Sequence, residues 1–301
     1  MKQQIFRGTG TALVTPFIEG GGAIDFPALD KLIERQIAAG VEALVPLGST
    51  GEGATLDHEE KLSIVDFVME RARGRVKVVA GSGTNDTITT VQLTREIAAL
   101  GVDAVLVVSP YYNKPTPDGL MKHYATIANA VPTPIILYNV PGRTGSNMSA
   151  ETTLRLAEIP SVVGIKEASG NVEQAMEIIR NRPEGFQVLS GEDTLTVPIV
   201  ACGGDGVIAV IANEVPKLYG DMTRAALAGD YARARELQYQ LLPLMKANFL
   251  ESNPIPVKAA LAMMGLILEE LRLPLTPLSA THRDTLRAAL ITAGELGHIG
   301  N

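Results

Sequence analysis

Eight short apolar runs recur along the 301-residue chain, at 11–15, 43–47, 76–80, 104–108, 134–140, 162–166, 186–189 and 206–211. Their starts lie 20–33 residues apart, and each run is apolar almost throughout instead of alternating. That pattern belongs to parallel strands covered on both faces. Between the runs, apolar residues take helical spacing. Leu29, Leu32, Ile33 and Ile37 form one stripe, and Leu62, Val65, Val68 and Met69 another. Asp57 with Glu60 and Asn171 with Gln174 have capping-box spacing, and Thr116 precedes a helix-opening Pro117. Gly40 and Gly101 stand where helices should stop.

Eight strand–helix units in succession predict an α/β fold, a (β/α)8 TIM barrel over residues 1–228. The competing open, doubly wound sheet normally carries GxGxxG after its first strand. The nearest fragments, Gly8-Thr9-Gly10 and Gly81-Ser82-Gly83, lack the third glycine. Beyond residue 228 the strand rhythm stops. Helices are expected at 229–250, 255–270 and 279–294, with breaks at Pro254, Pro256, Pro274 and Pro277. Residues 229–301 therefore read as a C-terminal helical extension, packed on the barrel or on a partner subunit.

Charge and composition narrow what such a barrel does. With 26 Lys+Arg against 33 Asp+Glu the net charge is −7, which lacks the positive field a nucleic-acid binder needs. The longest apolar run, 259–268, is too short to cross a bilayer, and residues 1–30 do not read as a signal peptide. The expectation is a cytoplasmic protein with no membrane or nucleic-acid partner. Its single cysteine, Cys202, excludes an intramolecular disulfide and a multi-cysteine metal site. The histidines (His58, His123, His282, His298) are scattered, and no HExxH motif is present. No metal is expected.

In a TIM barrel the active site lies at the C-terminal ends of the strands. The second run ends in Gly48-Ser49-Thr50-Gly51-Glu52, the fourth in Ser109-Pro110-Tyr111-Tyr112-Asn113. The fifth ends in Tyr138-Asn139-Val140-Pro141-Gly142-Arg143, and the seventh in Ser190-Gly191-Glu192-Asp193. In the sixth, Lys166 stands inside an otherwise apolar run. Burial disfavours an ammonium ion, so such a lysine suits imine formation with a ketone. The alternative is a structural lysine. An ion pair with Glu167 is excluded by strand geometry, because neighbours point to opposite faces. Tyr138, on the adjacent strand, is either a proton shuttle or a core plug. Ser49 and Thr50, flanked by glycines, could hold a small carboxylate, or form an ordinary turn. Arg143 is either a carboxylate clamp or a surface charge. Each is weak alone; together, at successive strand ends, they are a site.

Gly48-Ser-Thr-Gly-Glu52, Tyr138-Asn-Val-Pro141 and Gly164-Ile-Lys-Glu-Ala168 resemble the signatures of the dihydrodipicolinate synthase / N-acetylneuraminate lyase family. The resemblance spans nearly the whole chain, including Asn253-Pro-Ile-Pro-Val-Lys258, and is strongest to the synthase branch. It implies condensation of pyruvate with aspartate semialdehyde in the lysine and diaminopimelate pathway. Lys166 would form the imine with pyruvate, so no cofactor is implied. Tyr138, Thr50 and Tyr112 would relay protons, with Tyr112 supplied by the neighbouring subunit of a tight dimer. Ser49 and Thr50 would hold the pyruvate carboxylate, while the Gly191 and Ile208 backbone lines the site. Arg143 would bind the aldehyde substrate's carboxylate. A homotetramer, a dimer of tight dimers, is implied as well.

Two departures are visible. Ser49 stands where many synthases carry threonine, which keeps the hydroxyl but does not separate synthases from sialic-acid lyases. The family's lysine-feedback site is matched at His58, Asn85 and Tyr111. However, Lys61 replaces a second histidine and Thr89 a glutamate, so little or no lysine inhibition is expected.

Overall fold

The computed structural model describes residues 2–296; His298 lies outside them. Eight parallel strands close into a barrel in sequence order. They are β1 (Gly8–Ala12), β2 (Ala43–Val45), β3 (Lys77–Gly81), β4 (Ala104–Val108), β5 (Ile135–Asn139), β6 (Val162–Glu167), β7 (Gln187–Ser190) and β8 (Gly206–Ala209). Around them run α1 (Phe26–Ala38), α2 (His58–Ala72), α3 (Thr87–Ala99), α4 (Pro117–Ala130), α5 (Pro141–Thr144), α6 (Ala150–Ala157), α7 (Val172–Asn181), α8 (Thr196–Ala201) and α9 (Pro216–Leu227). Three more helices follow: α10 (Tyr231–Ala247), α11 (Ile255–Met263) and α12 (Ala280–Ala293). Among the described residues, no helix is long and apolar enough to cross a membrane.

The predicted barrel is present, with shifted ends. The first strand starts at Gly8 instead of residue 11, because Gly8–Thr11 pair with β8 and Gly10–Ala12 with β2. Beyond it the N–H of Val14 leaves the ladder to donate to the Asn213 side chain. Closure between β8 and β1 depends on glycine: a Cβ on Gly206 (φ +141°) would sit 2.0 Å from the Gly8 carbonyl oxygen. The helix expected over 255–270 stops at Met263, with Gly265 in the left-handed region (φ +74°) just beyond it. Pro256 opens this helix instead of breaking it. Asp57 and Glu60 form the predicted capping box. Asn171 caps α7, but Gln174 does not reciprocate; its amide reaches Glu167 and the Met148 carbonyl.

Two apolar layers hold the barrel. The interior is filled by Ala43, Val45, Val79, Leu106, Ile136, Leu189 and Ile208, with Ile5 and Phe6 packed into the same cluster. A larger layer lies between strands and helices, from Leu13 and Phe17 through Val105, Leu137 and Val188. The C-terminal helices share a core with the last unit: Leu237, Leu241, Leu244, Leu286 and Leu290 pack with Val207, Ala209 and Tyr219. This docking lays the connection before α11 across the barrel mouth, where Asn253 lines the cavity described next.

Candidate active site

Register decides which side chains meet. Tyr138 and Lys166 are direct partners between β5 and β6, and both are nearly buried in the barrel mouth. The Lys166 Nζ lies 4.4 Å from the centre of the Tyr138 ring. Their neighbours Asn139 and Glu167 face the other way. Glu167 accepts hydrogen bonds from the Asn139 amide (3.0 Å), the Gln174 amide (3.1 Å) and the Ser169 N–H (2.7 Å). Neutral donors thus satisfy Glu167 on the outer face, and Lys166 makes no ion pair among the described residues.

A narrow cavity, open at its mouth, is lined by Lys166. Its lining includes Ser49, Thr50, Tyr138, Arg143, Lys166, Gly191, Glu192, Val210, Phe249 and Asn253. A lone lysine, a tyrosine, two hydroxyls and an arginine therefore converge, as the strand-end reading expected. Ile208 is the exception. It is wholly buried in the barrel interior, and Val210, two residues on, lines the cavity instead. Gly191 is required by crowding: a Cβ there would lie 2.6 Å from the Ala168 Cβ and 3.1 Å from the Lys166 Cε.

The loop carrying Ser49 and Thr50 is strained and held from outside. Leu47 (φ +63°) and Glu52 (φ +53°) bracket it in the left-handed region, which side chains rarely adopt. The Glu52 carboxylate accepts a 2.6 Å bond from Lys258 Nζ, both side chains being essentially inaccessible, and another from the Arg272 N–H. The Asn253 side-chain amide donates to the Thr50 hydroxyl at 2.9 Å, while the Asn253 backbone carbonyl accepts from the Arg143 guanidinium at 3.0 Å. The C-terminal extension thus positions two residues of the site. Sequence reasoning quoted Asn253 and Lys258 within a motif but gave neither a role. Asp193 acts similarly: burial pushes its carboxyl up to about 6, while it accepts bonds from the N–H groups of Val210 and Ile211.

Tyr112 does not line the cavity of its own chain. It is 87% exposed, with φ +73°, and its N–H donates to the Thr144 carbonyl. Of the feedback-site candidates, His58 and Lys61 lie on α2, Asn85 in the loop before α3, Thr89 in the first turn of α3, and Tyr111 in the loop after β4. Asn113 ties that loop to the Asn85 carbonyl at 2.8 Å. Thr89 is engaged by the capping residue Asp86 through its N–H. His58 pairs at 2.8 Å with Glu96, a carboxylate the sequence reading did not consider.

The model of the dihydrodipicolinate synthetase family matches residues 5–293. The chain belongs to this family. Among its relatives is the 4-hydroxy-tetrahydrodipicolinate synthase of Koribacter versatilis, 51% identical over 96% of this chain and 97% of that protein. Among solved structures, the pyruvate-complexed dihydrodipicolinate synthase of Acinetobacter baumannii superposes with a TM-score of 0.94. It is 44% identical, covering 96% of this chain and 99% of that one. A Cyanidioschyzon merolae member with lysine bound gives a TM-score of 0.95 at 40% identity, over 98% and 100% of the two chains. The dihydrodipicolinate synthetase family thus accounts for both the barrel and its helical extension.

Proposed function

We propose that this enzyme condenses pyruvate with aspartate semialdehyde to 4-hydroxy-tetrahydrodipicolinate, a step of lysine and diaminopimelate biosynthesis, and that Lys166 is its nucleophile. The observation carrying this reading is the Lys166 amine, nearly buried, 4.4 Å from the Tyr138 ring and in one cavity with Ser49, Thr50 and Arg143. The neutral amine attacks the pyruvate ketone, and water leaves as the iminium forms. The iminium withdraws electrons, so the methyl group loses a proton to the hydroxyl relay of Tyr138, Thr50 and a partner's tyrosine. The resulting enamine attacks the aldehyde carbon, whose oxygen takes up a proton. The substrate's own amine then bonds to the former iminium carbon, and the Lys166 nitrogen leaves. The covalent imine serves as electron sink, and no cofactor or metal takes part.

Ser49 and Thr50 suit the pyruvate carboxylate, and Arg143 that of the aldehyde. Arg143→Ala should leave imine formation largely intact while lowering kcat/KM for aspartate semialdehyde. A charge-assisted bond contributes about 1.5–3 kcal/mol, so the loss should be roughly tenfold to a hundredfold. Initial rates at varied aspartate semialdehyde test this; a change confined to pyruvate affinity would reverse the two carboxylate assignments.

Tyr112, exposed and held in a costly backbone conformation, completes the relay of a neighbouring subunit in a dimer of tight dimers. Tyr112→Phe subunits mixed with Lys166→Ala subunits should regain activity, since a mixed dimer has one site with both groups intact. No recovery after verified subunit exchange would place Tyr112 in its own chain's chemistry.

Lysine should inhibit weakly or not at all. Thr89 cannot pair with an ammonium, and Lys61 adds a like charge. Initial rates with millimolar lysine at subsaturating pyruvate should stay close to the uninhibited value. Strong inhibition below 1 mM, an arbitrary threshold of about 4 kcal/mol in binding terms, would show that the site survives these substitutions.

A further inference from the structure

Glu192 is the acidic side chain that lines a cavity otherwise built for anions. Pyruvate and the aldehyde's carboxylate are both negative, so an unexplained carboxylate here opposes the binding of each. Its backbone is fixed: the Ser190 hydroxyl donates to the Glu192 carbonyl at 2.8 Å and accepts from its N–H at 3.2 Å. Its side chain is uncommitted. Among the described residues, the carboxylate makes no hydrogen bond and no ion pair, with neither Lys166 nor Arg143.

Position gives the carboxylate a purpose. The preceding residue, Gly191, packs so closely that an added Cβ would touch the Lys166 stem at 3.1 Å. Glu192 therefore follows directly on a residue packed against the Lys166 stem, and it lines the same cavity as Lys166 and Arg143. The aldehyde substrate has two charged groups on one carbon, a carboxylate and an ammonium. Arg143 answers the first. We propose that Glu192 answers the second, and is the residue that selects an amino-bearing aldehyde over one without the amine. This inference rests on the reaction proposed above and adds the recognition of the amino group. Burial and neighbouring Asp193 push the Glu192 carboxyl above the usual carboxylate range, while Lys166 and Arg143 pull it back. An arriving ammonium would favour the carboxylate further.

The test is Glu192→Gln in the full-length enzyme, read against two aldehydes and one trapping reaction. Succinate semialdehyde keeps the carboxylate and the aldehyde but lacks the amine. For aspartate semialdehyde, the variant should lose roughly tenfold to a hundredfold in kcat/KM, chiefly through KM. Inhibition by succinate semialdehyde should be unchanged or stronger, since a repelling charge has gone. Borohydride trapping of pyruvate at Lys166 should be unchanged, and Glu192→Asp should recover part of the loss. Equal weakening of both aldehydes would overturn the inference and make Glu192 a structural residue. So would an unchanged KM for aspartate semialdehyde. Failure of the wild type to trap pyruvate or to consume aspartate semialdehyde would instead defeat the underlying reaction.

Discussion

Lys166→Ala is expected to lower kcat/KM by roughly 10⁴-fold or more, the scale seen when a covalent nucleophile is removed from a unit of cooperating groups. The amine lies nearly buried at the barrel mouth, with the Tyr138 ring 4.4 Å away. Among the described residues, no other lysine lines the cavity, so no second amine can take over. Lys166→Arg should fail equally, because a guanidinium stays protonated and cannot form an imine. The fold should tolerate the alanine variant, since Glu167 and Asn139 anchor the same strands from the outer face. Circular dichroism and thermal midpoint near the wild type, with turnover gone, is the expected pair of results. Either variant keeping a tenth of wild-type activity or more, about 1.4 kcal/mol or less of lost transition-state stabilisation, would remove Lys166 from the mechanism.

Lys258→Met should have the largest effect on stability. Lys258 and Glu52 form a 2.6 Å pair with side chains 0% and 1% exposed. Removing Lys258 leaves the buried Glu52 carboxylate without its ion-pair partner, which costs about 3–5 kcal/mol. The thermal midpoint should fall by on the order of 10 °C. The loss should reach the site as well, because Glu52 closes the strained loop that presents Ser49 and Thr50. Pyruvate KM should therefore rise in the same variant. Adding Glu52→Gln should restore much of the stability, since a neutral amide tolerates burial where a lone carboxylate does not. Glutamine suits the site better than leucine would, because it can still accept from the Arg272 N–H. A wild-type midpoint in Lys258→Met would show that this pair does not hold the loop.

The barrel was legible because strands covered on both faces leave uninterrupted apolar runs, as in 104–108, which coincides with β4. The first strand was misplaced because Gly8–Ala12 is built of glycine, threonine and alanine, and its pairing partners are distant in sequence. A lysine inside an apolar run announces itself, so Lys166 could be found, and Tyr138 with it. Val210 escaped notice because an apolar lining residue looks like any core residue. Asn253 and Lys258 escaped for another reason: they meet Thr50 and Glu52 across more than 200 residues, at separations of 203 and 206. Glu192 was visible at the end of its strand, but only the folded barrel brings it into one cavity with Arg143.

In the proposed reaction, pyruvate becomes covalently attached to Lys166. Incubating the enzyme with pyruvate and borohydride, followed by proteolysis and mass spectrometry, tests it directly. The expected result is one reduced pyruvyl adduct per chain, on the peptide containing Lys166, absent without pyruvate and absent in Lys166→Ala. An unmodified Lys166 peptide, or an adduct formed equally well by the alanine variant, would contradict it.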